Sequence, residues 1–135
     1  MPKIDVSFIL LSVLCLIVGI GMGIVMGAAH DFQFTPVHAH LNLLGWVSLA
    51  LFGLIYKAYP ALKTSWLAKA HLILSGSTAV IFPVGIYVSI AHENPAVAIA
   101  ASFVALGGVL VFLANLVRVF FFAEKATTIA DEALA

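Results

Sequence analysis

Five histidines are the residues best able to do chemistry in this chain: His30, His38, His40, His71 and His92. Imidazole is a common protein ligand for haem iron, copper and zinc. His38 and His40 stand two positions apart in the run Val37-His38-Ala39-His40. A helix turns about 100° per residue, so two positions swing the side chain by about 200°. One helix therefore cannot aim both imidazoles at a single metal. It can serve two sites, one on each flank, which suits a helix standing between two pockets of an oligomer. The sequence has no Cys-x-x-Cys-His attachment motif, so any haem is held without a covalent bond. It has no cysteine pair, no His-Glu-x-x-His and no acidic residue deep in an apolar run, so a zinc hydrolase is unsupported. Ser75, Ser77 and Thr78 read as hydroxyls that satisfy backbone carbonyls around Pro83 rather than as nucleophiles.

The elements that position these residues follow from composition. The chain has 135 residues, 64% apolar and 9% charged, with six basic and six acidic side chains, and a mean hydropathy of +1.19. Such a chain cannot cover itself with a water-compatible surface, so lipid is its solvent. With no basic stripe, nucleic acid is not an expected partner. A span needs about 20 apolar residues. Four segments qualify, at about 6–29, 37–59, 66–91 and 96–122, and they predict one all-α domain, a four-transmembrane-helix bundle. The first is too long for a cleaved signal segment and reads as a retained helix. Pro36 suits a helix start and Pro83 predicts a kink in the third span. Gly19, Gly23 and Gly27 recur every four residues and predict a small-residue ridge for close helix packing. Cys15 reads as a packing residue. The tail after Ala123 is polar and is expected to leave the membrane.

Charge sets the expected orientation. Lys3, the group Lys57, Lys63 and Lys69, and the pair Arg118 and Lys125 mark both termini and the middle loop as cytoplasmic. The first and third connections carry no Lys or Arg. This places His30, His38, His40 and His92 at the outer side of what is expected to be a bacterial inner membrane. His71 lies 21 positions before His92, roughly 30 Å away along a helix, near the cytoplasmic side. It reads as a packing or interface residue. Asn115 is expected to bond across helices and Arg118 to reach the headgroups.

The stretch Val37-His38-Ala39-His40-Leu41-Asn42-Leu43-Leu44-Gly45-Trp46, running on to Tyr59-Pro60, resembles subunit I of the haem–copper oxidases, the cytochrome c and quinol oxidases. In that family the first histidine of such a pair ligates the high-spin haem and the second the low-spin haem, on opposite flanks of one helix and toward the outer side. The family's subunit has twelve spans in three groups of four. The resemblance implies that this chain is like a single four-helix group, as a small stand-alone relative. A homotrimer would rebuild the ring, with each pocket taking His38 from one chain and His40 from its neighbour. The chain departs from the family in having no His-His pair for copper and no outer-side arginine for haem propionates. That duty would fall to His30, Gln33, Thr35 or His92. Full oxygen reduction with proton pumping is not expected. If the chain is catalytic, a haem-dependent oxidoreductase is implied.

Three readings follow. The first is a membrane protein with non-covalent haem b, bis-histidine ligated, in electron transfer with a redox partner that the sequence does not specify. Its ligands are His38 and His40. Asn42 would orient an imidazole, and His30, His92 and Trp46 would complete the cofactor site, with Phe32, Phe34 and Phe52 as further candidate walls. The second is a copper site that gathers His30, His38, His40 and His92, with Met22 and Met26 as possible soft ligands. The third is a structural subunit without a cofactor.

Overall fold

The computed structural model describes residues 3–122. The expectations for the tail after Ala123, including the contribution of Lys125 to orientation, lie outside the described residues. Four long helices follow one another: α1 Ile4–Ala29, α2 Thr35–Ala58, α3 Trp66–His92 and α4 Ala96–Val117, the last continued by a π-helical turn over Arg118–Phe122. Each is long and apolar enough to cross a membrane, which fits an integral membrane protein. No strand occurs among the described residues. Counting that turn with α4, every helix end lies within two residues of its expected place.

The ends form where backbone chemistry requires. His30 and Glu93 adopt left-handed φ values of 52° and 53° and terminate α1 and α3. The Asp31 amide then turns back to donate to Met26 O at 3.2 Å, which satisfies a carbonyl that the helix end would orphan. Pro36 sits in the first turn of α2, where its missing donor costs nothing. Pro60 pushes Tyr59 out of the helical region, to φ −121° and ψ 79°, and so ends α2. The Pro60–Thr64 stretch makes a 3₁₀ turn. Ser65 Oγ then accepts from the Leu67 amide at 3.2 Å to start α3. The Asn94 side chain accepts from the Ala96 amide at 3.1 Å at the start of α4.

The interior of α2 departs from the sequence expectation. From Leu41 to Ser48 it is π-helical, with i→i+5 bonding, and Ser48 Oγ also donates to Leu43 O five residues back, at 2.8 Å. The reason lies in which residues are buried. Val37, Leu41, Gly45, Leu49 and Gly53 recur every four positions and are all buried. Along a regular α-helix of 3.6 residues per turn, 16 positions overshoot four turns by about 160°. The stripe would wind to the opposite face. The wider π turns absorb the surplus and keep the stripe on one side.

On α1 no such correction occurs. Gly19 and Gly23 both face α2: a Cβ on Gly19 would stand 2.5 Å from Asn42 Oδ1, and one on Gly23 would stand 3.1 Å from His38 Cε1. Four-residue steps drift by about 40° each on an α-helix. Gly27 has accordingly turned away into open space, and Met26 is buried in its stead. The expected three-glycine ridge is therefore a two-glycine notch. Further along the same interface Gly45 meets Cys15, and Gly53 meets Ile9 and the Asp5 carbonyl. Between α3 and α4, Gly85 lies against the Ala98 backbone and Gly108 against Ser75.

The bundle is apolar on its outside as well as in its core. Large apolar side chains such as Leu14, Ile24, Phe103 and Phe121 point outward. The buried positions include Ser12, Ala68, Thr78, Ala79 and Asn115. With lipid outside there is no gain in hiding leucine, and close packing of small and hydrogen-bonded residues holds the helices together. One end of the bundle carries the α1–α2 and α3–α4 connections with four histidines. The other carries Lys3, Lys57, Lys63 and Lys69. There Lys63 Nζ pairs with Asp5 Oδ2 at 3.1 Å and ties the α2–α3 connection to the start of α1.

Candidate functional site

His38 and His40 both lie on the first turns of α2, in its regular α-helical part, so the 200° relation applies to them directly. His38 turns toward α1 and rests in the notch left by Gly23. His40 turns toward α3, where its ring meets Phe82 edge-on at 5.1 Å and 80°. The two imidazoles thus occupy opposite flanks of one helix, and neither flank contains both.

Their hydrogen bonds differ. His40 Nδ1 lies 2.7 Å from Pro36 O. A carbonyl only accepts, so Nδ1 carries the proton and Nε2 presents its lone pair. The carbonyl that holds it is itself held by the helix start. This is the arrangement in which a metal-ligating histidine is oriented through its second nitrogen. His38 is set differently. Asn42 Nδ2 donates to His38 O at 2.8 Å and also lies 3.4 Å from His38 Nδ1. An amide N–H directed at Nδ1 favours the lone pair there and the proton on Nε2. His38 can present Nε2 as a ligand only when Asn42 gives up that longer contact. Asn42 therefore serves His38, one turn before it, and its own side chain is seated on Gly19.

The other expected site residues are spread out. His30 is exposed at the left-handed turn that ends α1, and His92 is exposed at the last position of α3. Trp46 is half-buried within the π-helical stretch, four residues after Asn42. Phe34 packs against Tyr87 at 5.0 Å, and Phe32 is exposed. Phe52 belongs to the opposite end of the bundle. Among the described residues no group of three or more His, Cys, Asp or Glu side chains forms a metal-holding cluster within one chain. A groove of about 520 Å³ between α1 and α3 is lined by apolar side chains including Cys15, Met22, Leu41, Pro83 and Tyr87, and by no histidine. Its lining suits a hydrocarbon chain, and the histidine chemistry lies elsewhere.

The lysine-bearing end holds a network that spacing did not reveal. His71 is fully buried, enclosed by Phe52 (4.4 Å, edge-on), Phe112 (4.7 Å, stacked) and Phe8 (5.0 Å). All four helices contribute to this cluster. Arg118 donates through Nε and Nη2 to Asn115 Oδ1, at 3.2 and 3.0 Å, and to Ala61 O at 3.2 Å. Because arginine only donates, Asn115 Oδ1 must accept. Its Nδ2 then donates to Leu62 O at 2.9 Å and to the Tyr56 hydroxyl at 3.4 Å. The Tyr56 hydroxyl in turn shares a hydrogen bond with His71 Nδ1 at 3.1 Å. His71 Nε2 has no hydrogen-bond partner among the described residues. The cross-helix bond expected of Asn115 is present. Arg118 does not simply reach outward but binds the α2–α3 connection. The sequence signal for this network was the presence of Asn115 and His71 inside spans, where polar side chains are costly. The hydroxyls of Ser77 and Thr78 both bond Leu74 O, at 3.0 and 2.8 Å. The carbonyl four residues before Pro83, the one that a proline deprives of its amide, is that of Ala79, so these hydroxyls brace the helix about a turn below it.

Comparison with protein-family models, with curated proteins and with solved structures finds no match to this chain.

Proposed function

We propose that this chain binds haem b without a covalent bond, between copies of itself in a bacterial inner membrane, and carries electrons. The observation that supports this reading most is the division of His38 and His40 onto opposite flanks of α2, with His40 Nδ1 held by Pro36 O so that Nε2 is free. The residues fit such a group as two half-sites. A single chain offers one imidazole on each flank, and the second imidazole would come from a neighbour. A homotrimer meets this need, each pocket taking His40 from one chain and His38 from the next. In that arrangement His40 is the pre-oriented ligand. His38 is the adjustable one, steered by Asn42 and backed by the Gly23 notch. Trp46 walls the pocket, and His30, His92, Gln33 and Thr35 meet the propionates at the outer face. Both termini and the lysine-bearing loop are cytoplasmic in this reading. When bound, haem would supply one-electron chemistry, and two imidazoles, from His38 and His40 of neighbouring copies, would suit it to electron transfer. The resemblance of residues 37–60 to subunit I of the haem–copper oxidases supports the same assignment.

The test is an absorption spectrum of the purified protein, oxidised and reduced, before and after haem addition. A Soret band with the sharp reduced bands of low-spin haem is expected, and His40→Ala should abolish the low-spin form. Absence of any Soret band after haem addition would overturn the proposal. Copper without iron in elemental analysis would instead favour the copper reading.

A further inference from the structure

Arg118 is held in place by neutral partners alone. Its Nε and Nη2 donate to Asn115 Oδ1 at 3.2 and 3.0 Å, and Nη2 also reaches Ala61 O at 3.2 Å and Thr64 Oγ1 at 3.5 Å. These acceptors orient the guanidinium without offsetting its charge. The one ion pair among the described residues joins Lys63 to Asp5. A guanidinium has five N–H donors, and the two on Nη1 find no acceptor among the described residues. Nη1 is also open to its surroundings, since His71 Nε2 is the only enclosed side-chain nitrogen or oxygen among those residues that lacks a partner.

The level of this group in the bilayer follows from its partners. Ala61 and Thr64 belong to the α2–α3 connection, which is flanked by Tyr59 and Trp66, both exposed. Exposed Tyr and Trp at the ends of spans mark the level of the lipid headgroups. Phe120, two residues beyond Arg118, meets the Tyr59 ring edge-on at 5.2 Å. Lys3, Lys57, Lys63 and Lys69 lie at this same end, against Asp5 as its one carboxylate among the described residues. This end of the bundle therefore carries an excess of positive charge, with one guanidinium fixed in position.

We propose that Arg118 and the α2–α3 connection form a binding site for the headgroup phosphate of an anionic phospholipid. Nη1 donates to a phosphate oxygen while Asn115 holds the other edge of the guanidinium. Because Asn115 has already ordered this long side chain, little rotamer freedom is lost on binding. The lysines favour a headgroup of net negative charge over one whose phosphate is balanced by an ammonium. The assignment does not depend on the haem reading. The competing occupant is a carboxylate of the terminal segment, Glu124, Asp131 or Glu132, which would leave the site indifferent to lipid charge.

The experiment is native mass spectrometry of the full chain in detergent, titrated with phosphatidylglycerol or with phosphatidylcholine of the same acyl chains. The wild-type protein should bind the first phosphatidylglycerol about tenfold more tightly than phosphatidylcholine. Arg118→Gln, whose amide can still donate to Asn115 or Ala61, should bind phosphatidylglycerol at least about tenfold more weakly than the wild type, the loss expected for a hydrogen bond between charged groups. Arg118→Lys keeps the charge without the fork and should recover only part of that loss. Lys3→Gln removes the same charge from the same end and should cost no more than about fivefold, the effect of one charge near an anionic surface. Equal binding of the two lipids by the wild-type protein overturns the proposal and is the result expected if a terminal carboxylate fills the site. Equal losses in Arg118→Gln and Lys3→Gln also overturn it, because binding would then follow charge alone. Thermal melts identify a variant that fails to fold. Should Arg118→Gln fail, Arg118→Lys decides, and wild-type affinity in that variant overturns the proposal.

Discussion

Gly23 faces the imidazole of His38 so closely that a Cβ at this position would stand 3.1 Å from Cε1. The space that a side chain would fill on α1 is the space in which His38 sits. Gly23→Ala should therefore displace the His38 ring by a few tenths of an ångström or force a neighbour to give. In the haem-loaded protein the expected effect is a haem affinity about tenfold lower, the loss typical when a group that orients a ligand is disturbed. Gly19→Ala, which would press on Asn42, should act in the same direction. Gly27→Ala, with nothing within 4 Å, should be silent. Haem titration of the three variants checks this, and equal affinities for all of them would separate the notch from the ligand.

Because His38 and His40 serve opposite flanks, neither histidine variant alone can form a complete pocket in a trimer. Mixing the two variants can. In a trimer holding both His38→Ala and His40→Ala chains, one of the three pockets receives both histidines. Mixed trimers should therefore recover about one third of the wild-type low-spin haem signal, while each variant alone gives none. Co-expression with two affinity tags and an absorption spectrum of the doubly purified complex measures it. No recovery would rule out a pocket shared between chains.

Tyr56 joins Asn115 to His71. Replacing it with Phe removes the hydroxyl and leaves Nδ1 of a fully buried imidazole without a partner. The expected cost is about 1–3 kcal/mol. Asn115→Ala should cost a similar amount, since it frees Leu62 O and the Arg118 side chain. The double variant should lose less than the two single losses combined, because both interrupt one chain. Unfolding in detergent with increasing denaturant reads all three.

Gly85 approaches the backbone of α4, where an added Cβ would meet Ala98 N at 2.7 Å and Cα at 2.9 Å. Backbone cannot swing aside as a side chain can. Gly85→Ala should part α3 from α4 at the histidine-bearing end and destabilise by about 1–3 kcal/mol. Gly107→Ala, on the same helix pair but with nothing within 4 Å, should be neutral or slightly stabilising. Thermal melts of the two variants under one detergent condition compare them.

His30 holds a left-handed backbone, φ 52°, at the end of α1. Glycine adopts that conformation without steric cost, whereas other residues pay about 1–2 kcal/mol. His30→Gly should raise the melting temperature. If His30 also meets a haem propionate, the same variant should shift the haem midpoint potential. Redox titration alongside the melt distinguishes a residue retained for its side chain from one tolerated at a turn.

Much of this protein is legible in its amino-acid order. The four spans, the proline that starts α2, the proline that ends it and the division of His38 from His40 all follow from local rules: apolar length, backbone chemistry and the 100° turn. They depend on neighbours in the chain, which the sequence displays directly. The tertiary structure decided the rest. Regular helical geometry would carry the stripe Val37, Leu41, Gly45, Leu49 and Gly53 around α2, and only packing against α1 selects the π-helical stretch that holds it to one face. Its four-residue spacing was visible, but spacing alone does not say which residues another helix will cover. The same four-residue spacing on α1 had the opposite outcome, because Gly27 was allowed to drift away. Asn42 was readable as a residue near His40, yet its bonds go to His38, because on a helix the neighbour is one turn back rather than two positions back. The meeting of Phe8, Tyr56, His71 and Asn115, drawn from four helices, rests on contacts between residues up to 63 positions apart, as between Phe8 and His71. No local rule reaches that far. Polarity inside a span marks such residues as costly, and only the packed bundle shows what compensates them.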